Sequence, residues 1–175
     1  VIVPSATPDL FVAVEPYGPA ARRLLEGHYL GNPPPGCLFC VGVRAPEPGL
    51  FGAAPGALVG VCLVGRPVAR RLAQDGTVGE VTRLWLAPGL PHGTASAVLR
   101  HAADVARRAG MVALISYHDR TRHTGCIYRK AGFRRDGVTR PRGKGWASRK
   151  RPASADVGAT SKRRWRLDLG GSDDP

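Results

Sequence analysis

A chain of 175 residues with 43% hydrophobic content is long enough for one domain with a real core. Its four cysteines are too few and too irregular for a disulfide framework, and the opening VIVPSATPDLFVAVEP lacks the charged and apolar regions of a signal peptide. No apolar run reaches the roughly 18 residues that a membrane span needs, and the net charge of +13 is unevenly spread: residues 134–166 hold 12 Lys and Arg against 2 acids, the remainder 14 against 11. The expectation is a soluble protein of a reducing, cytoplasmic setting, away from membranes, with an anionic partner, nucleic acid first among them.

In chain order, LFVAVEP alternates and stops at a proline, which predicts a strand near residues 10–15. Pro19 suits a first helical turn, and Ala21, Leu24, Leu25 and Tyr29 recur at helical spacing, predicting a helix over 19–29 that GNPPPG breaks. CLFCVGVRA and GALVGVCLVGRP are β-type runs separated by PEPGLFGAAPG and predict an antiparallel pair with a long loop. Asp75-Gly76 marks a turn before the strand GEVTRLWLAP. Thr94 or Ser96 can cap a helix that runs to Gly110, with an apolar stripe of Val98, Leu99, Ala102, Val105 and Ala106. MVALISY reads as a buried central strand. TGCIYRKAG reads as a short helix, FRRDGVTRP as a strand and RRWRLDL as a last strand near 163–169. The order β-α-β-β-β-α-β-α-β-β is that of an α/β or α+β fold, with helices between the strands of one sheet. A boundary is expected at 139/140, between a catalytic domain (1–139) and a basic Gly-, Pro- and Arg-rich segment (140–175).

HDRTRHTGCIYRKAGF, immediately after the central strand, concentrates polar chemistry. Ligand groups commonly stand at such strand ends in open α/β sheets. His118 and Asp119 are strand neighbours that face opposite ways, so one of them enters a given pocket; Asp119 is the expected one, with a helix-capping role as the alternative. His118, His123 and Cys126 have the residue types of a ligand site but also of an ordinary surface loop. Cys62 and Cys126 sit in apolar stretches, as buried thiols do. Cys37 and Cys40 have zinc-like spacing without a second pair and read better as strand cysteines. In the basic segment, Arg140, Arg142, Lys144, Arg149, Lys150, Arg151, Lys162, Arg163 and Arg164 are candidates to neutralise phosphates. Trp146 and Trp165 are candidates to stack on bases, Trp165 alternatively covering the sheet.

Three stretches in order, GALVGVCLVGR, VTRLWLAPG and GCIYRKAGF, resemble the GCN5-related N-acetyltransferase (GNAT) superfamily over residues 10–138. The resemblance implies a mixed, mostly antiparallel twisted sheet flanked by helices, with Tyr128 as general acid toward a leaving thiolate. The family's phosphate-binding turn usually reads Arg/Gln-x-x-Gly-x-Gly/Ala. Here it is PGLPHGTAS, with Pro91 and one interior glycine, which leaves the backbone of His92, Gly93, Thr94 and Ala95 to cradle an anion.

Within that superfamily EGHYLGNPPPG, GEVTRLWL and SYHDRTRHTGCIYRKAGF resemble the Mom-type phage DNA-modification proteins and related GNAT-like proteins of mobile elements. This implies conversion of DNA adenine to N6-carbamoylmethyladenine. His28 and Tyr29 would stand in the site beside Asp119 and Tyr128, with ferrous iron attached to His28 and Asp119. Glu80 is a candidate general base or third oxygen ligand, or else a carboxylate paired with Arg83. The partners implied are double-stranded DNA and a small-molecule group donor; the oligomeric state stays open, a dimer being compatible. The alternatives are an acetyl-CoA-dependent N-acetyltransferase acting on an amine, and a non-catalytic GNAT-like fold that binds DNA.

Overall fold

GALVGVCLVGR is apolar on both sides of a period-two pattern, so its strand must be covered on both faces. A computed structural model describes residues 3–4, 10–28, 34–45, 54, 56–139 and 160–170 of the chain. In it this run is β4 (Leu58–Gly65), buried along almost its whole length. Val61 and Leu63 pack against Ala21 and Leu25 of α1 (Pro19–Glu26) on one face. Cys62 and Val64 join the larger core with Val98, Leu99, Ala102 and Ala106 of α2 (Thr94–Arg108) on the other.

The remaining strands are β1 (Val3–Pro4), β2 (Phe11–Glu15), β3 (Phe39–Arg44), β5 (Val78–Leu86), β6 (Ala113–Asp119), β7 (Arg134–Thr139) and β8 (Lys162–Asp168). They form one eight-stranded sheet in the order β1-β2-β3-β4-β5-β6-β8-β7. β5 and β6 run parallel and every other neighbouring pair is antiparallel. The short helix α3 (Cys126–Lys130) lies on the α2 side and contributes Tyr128 to the core.

Two irregularities open the sheet. The register between β4 and β5 passes from Leu63↔Arg83 to Val64↔Val81, so Thr82 is an extra residue. A bulge of this kind bends and over-twists its strand. Beyond it, β5 no longer pairs with β6: the parallel ladder runs only from Val78↔Ala113 to Val81↔Ser116. Tyr117, His118 and Asp119 remain paired to β8.

Several sequence expectations are adjusted by local geometry. α1 stops at Glu26 because Gly27 caps it: the Gly27 N–H donates to the Leu24 carbonyl and the His28 N–H to that of Leu25. α2 starts after Gly93 (φ +96°), so Thr94 is its first residue and neither Thr94 nor Ser96 caps it. Cys126 opens α3 and is exposed rather than buried, while Tyr128, two residues on, points into the core.

The last strand is not peripheral. β8 lies between β6 and β7, and Trp165 is 1% exposed. Its indole N–H donates to His118 Nδ1 at 2.6 Å, and its ring stacks on Tyr128 at 5.5 Å. Trp165 is therefore a core side chain and no base-stacking surface, since a stacking platform must be solvent-facing in the free protein. Gly125 (φ +76°) closes over this cluster, where an added Cβ would lie 2.6 Å from Trp165 and 2.7 Å from His118.

Two substitutions test this. Trp165→Ala should cost about 3–5 kcal/mol, the range for emptying a buried aromatic site. Gly125→Ala should cost roughly 2–4 kcal/mol from left-handed backbone strain plus overpacking. Urea unfolding should show lower midpoints for both with unchanged slopes.

Candidate functional site

Where β5 and β6 part, a cleft of about 180 Å³ opens. The two faces of the sheet meet there, so elements from both sides supply its walls. His28, which follows α1, lines it from one side; Tyr128, Cys126, Ile127 and Gly125 from α3 and its approach line it from the other. Arg83 of β5, Ser116, Tyr117 and His118 of β6, and His123 and Thr124 of the β6–α3 loop complete most of the wall. Among the described residues, no Asp or Glu lines it.

His28 is placed by the end of α1, whose Gly27 lies close to Trp85 Nε1. Burial, then Arg83 and His123, push the His28 pKa down to about 4. Its imidazole is thus neutral at physiological pH and can act as a base. Tyr128 is buried, and the Ser116 hydroxyl donates to its oxygen at 3.0 Å. The His118 ring lies parallel to Tyr128 at 6.0 Å. Trp can only donate, so the Trp165 bond requires an unprotonated His118 Nδ1 and puts the proton of the neutral ring on Nε2. Burial, with His123 and Arg163 nearby, also lowers the His118 pKa.

The fold separates the four residues expected to share one pocket. His28 and Tyr128 line the cleft; Glu80 and Asp119 do not. Glu80 pairs with Ile115 on the face away from Tyr128, and its carboxylate accepts the Val68 N–H at 2.8 Å. Burial raises its pKa. Asp119 accepts bonds from Thr121 N–H and Oγ1 at 2.9 and 2.6 Å, and from Thr160 Oγ1 at 2.7 Å. These hydroxyl and amide donors bring its pKa down to about 2. Asp119 thus ties the β6–α3 loop to the approach of β8. Strand alternation points His118 into the cleft instead.

Among the described residues, no three His, Cys, Asp or Glu side chains gather as metal ligands. The His28–Asp119 pair is not arranged to hold iron, because the carboxylate oxygens already hold the loop. Cys37 and Cys40 are free, and burial raises both pKa values, that of Cys40 to about 12; among the described residues no further ligand-type side chains join them to make a metal site.

The first turn of α2 carries no acid and no side-chain cap, which suits an anion. Of the backbone of His92, Gly93, Thr94 and Ala95, the Thr94 N–H is already taken up by the Pro91 carbonyl at 3.2 Å, and the Thr94 hydroxyl donates there as well.

Of the expected phosphate-binding residues, Lys162, Arg163 and Arg164 lie on β8. Tyr29, Arg140, Arg142, Lys144, Trp146, Arg149, Lys150 and Arg151 fall outside the described residues. Sequence reading missed Ser116 and Arg83. A serine inside the apolar run MVALISY was the available signal, since a buried hydroxyl requires a partner.

The lowered His28 pKa sets a pH dependence. Unfolded, His28 titrates near 6.5; folded, near 4. Its contribution to stability is present above pH 6.5 and is lost as pH falls toward 4. The lowered His118 and His101 act in the same direction, while the raised Glu80 opposes them where carboxylates titrate. Melting temperature should therefore drop from pH 7 to pH 5, and His28→Gln should show a shallower drop. Equal pH slopes in the two proteins would place His28 in solvent.

No curated protein matches the chain. Solved structures share its fold at low identity. The ribosomal-protein-S18-alanine N-acetyltransferase of Escherichia coli is 13% identical with a TM-score of 0.58, covering 94% of this chain and 97% of that one. A Bacillus subtilis acetyltransferase in complex with CoA is 14% identical with a TM-score of 0.58, covering 92% and 99%. An IAA acetyltransferase of Bacillus cereus is 16% identical with a TM-score of 0.57, covering 91% and 99%. The architecture is that of the GNAT acyltransferases. The model of the Mom protein family matches residues 9–151, most of the length, and on that match the chain belongs to the Mom protein family.

Proposed function

We propose that this protein is a GNAT-fold group transferase that modifies DNA, adding a carbamoylmethyl group to N6 of adenine. The observation that carries this reading is the Mom family match across the segment that builds the cleft. The cleft adds chemistry: a neutral imidazole and a buried phenol share one pocket, with no carboxylate among its described lining residues.

In this reaction the adenine N6 attacks an electrophilic carbon of the donor, forming the N–C bond as the bond from that carbon to its leaving group breaks. N6 becomes acidic as the bond forms, because it gives its lone pair to that bond and takes on positive charge. A base as weak as His28 then suffices to take its proton. The Tyr128 phenol gives its proton to the leaving group, with Ser116 supporting the oxygen left behind. Adenine must leave the duplex to reach the cleft.

A second reading is an acetyl-CoA-dependent N-acetyltransferase. The uncapped start of α2 favours it, since backbone N–H groups at a helix N-terminus suit a pyrophosphate. In that case the leaving group is the coenzyme A thiolate, and Tyr128 again supplies the proton.

Mass spectrometry of nucleosides from DNA of expressing cells decides between them. Modified adenine is expected, and Tyr128→Phe should lower its formation by roughly 10²–10⁴-fold, the usual range for a general acid. Stability should change by only about 1 kcal/mol, the worth of the Ser116 bond. Unmodified DNA together with calorimetric binding of acetyl-CoA would replace the first reading with the second.

A further inference from the structure

β8 sorts its cations by face. Lys162, Arg164 and Arg166 alternate with Arg163 and Trp165. On the first face the arginines meet acids: Arg164 contacts Asp136 at 2.9 Å and Arg166 contacts Asp168 at 2.5 Å. The neighbouring Arg134 also contacts Asp168, at 2.8 Å.

The other face is different. Arg135 pairs with Trp165 and therefore shares its side of the sheet, as Arg163 does two residues away. Arg120 leaves the end of β6 nearby. Burial, and after it the charges of Arg135 and Arg120, lower the Arg163 pKa. Among the described residues, none of the three has a carboxylate within ion-pair distance. Folding brings together like charges that the unfolded chain keeps apart, and screening by salt only reduces that cost. An anion that bridges them reverses its sign.

The position of the cluster indicates which anion. Arg163 pairs across the sheet with His118, and Arg120 precedes His123 in one loop; both histidines line the cleft. Arg163 and Arg120 thus stand beside the cleft, and Arg135 lies on the adjacent strand β7, on the same side of the sheet as Arg163. An extruded base leaves its backbone at the mouth of the pocket, and guanidinium forks match phosphate oxygens.

We propose that Arg120, Arg135 and Arg163 form a phosphate clamp for the DNA backbone flanking the base that enters the cleft. This rests on the DNA-modifying reading above. The partnered face, with Arg134, Arg164 and Arg166, is not part of the clamp.

The test is binding of the full-length protein to a labelled duplex by fluorescence anisotropy across a salt series. Arg120→Gln, Arg135→Gln and Arg163→Gln are compared with Arg134→Gln and Arg166→Gln, which remove the same charge from the other face. Each clamp variant should weaken binding and lower the slope of log K against log salt by about 0.9, one released counterion. The two controls should keep the wild-type slope. Arg163→Lys, which retains the charge, should keep it too and guards against a folding defect in Arg163→Gln. Relief of like-charge repulsion should leave the clamp variants with melting temperatures equal to or above wild type. Equal slope losses on both faces would overturn the clamp in favour of diffuse charge. Wild-type slopes in all three clamp variants would overturn it and leave the DNA reading intact. Absence of salt-dependent duplex binding by the wild-type protein would remove the DNA reading, and the clamp with it.

Discussion

The site depends on the brevity of one ladder: β6 pairs with β5 over only four residue pairs. The extra residue at Thr82 turns the second half of β5 aside, while β8 holds β6 along its full length from Ala113 to Asp119. Neither strand can close the gap without breaking another ladder. The opening passes through the sheet, which is why α1 and α3, packed on opposite faces, both reach the same cleft. His28 and Tyr128 are 100 positions apart in sequence. Nothing but this gap brings them together.

The far wall is held by an aromatic cluster that ties three elements. Trp165 of β8 bonds to His118 of β6 and stacks on Tyr128 of α3, and Phe133 meets the Tyr128 edge at 5.8 Å. The bond fixes the His118 tautomer, and the stack fixes the plane of the Tyr128 ring. Gly125 permits α3 to approach this closely, since any side chain there would meet both rings. The orientation of the phenol is therefore a consequence of the C-terminal strand, which supplies no side chain to the cleft wall.

Charge is distributed with the same economy. The acids near the cleft serve the scaffold: Glu80 holds the Val68 backbone, and Asp119 holds the β6–α3 loop and Thr160. Asp136 and Asp168 neutralise arginines on one face of β8 and β7. What remains among the described residues is a cleft without carboxylates, with Arg120 and Arg163 beside it and no acid within ion-pair distance of either. That pattern follows from the positions of very few carboxylates in a chain with twice as many basic residues.

Most of the element order was legible in the sequence, because it rests on local signals. The period-two runs, Pro19, the Asp75-Gly76 turn and the alternation of strands with helices act over a few residues, and they give the mixed sheet with helices on its faces. The words around GCIYRKAGF marked the neighbourhood of the site for the same reason. Side-chain partnership was not legible. Asp119 was expected in the pocket and its neighbour His118 stands there instead, because one residue of strand register exchanges the two faces. Glu80 was placed among the site residues, yet its orientation depends on pairing with Ile115 and on the Val68 loop. Trp165 was left between base stacking and covering the sheet, since its arginine neighbours are visible in sequence and its insertion between β6 and β7, which decides for the sheet, is not. The sequence by itself determined which segments are strands and helices and where polar chemistry gathers. The tertiary structure alone decided which side chains share a cavity, because strand order, register and the bulge at Thr82 arise from pairings between distant segments.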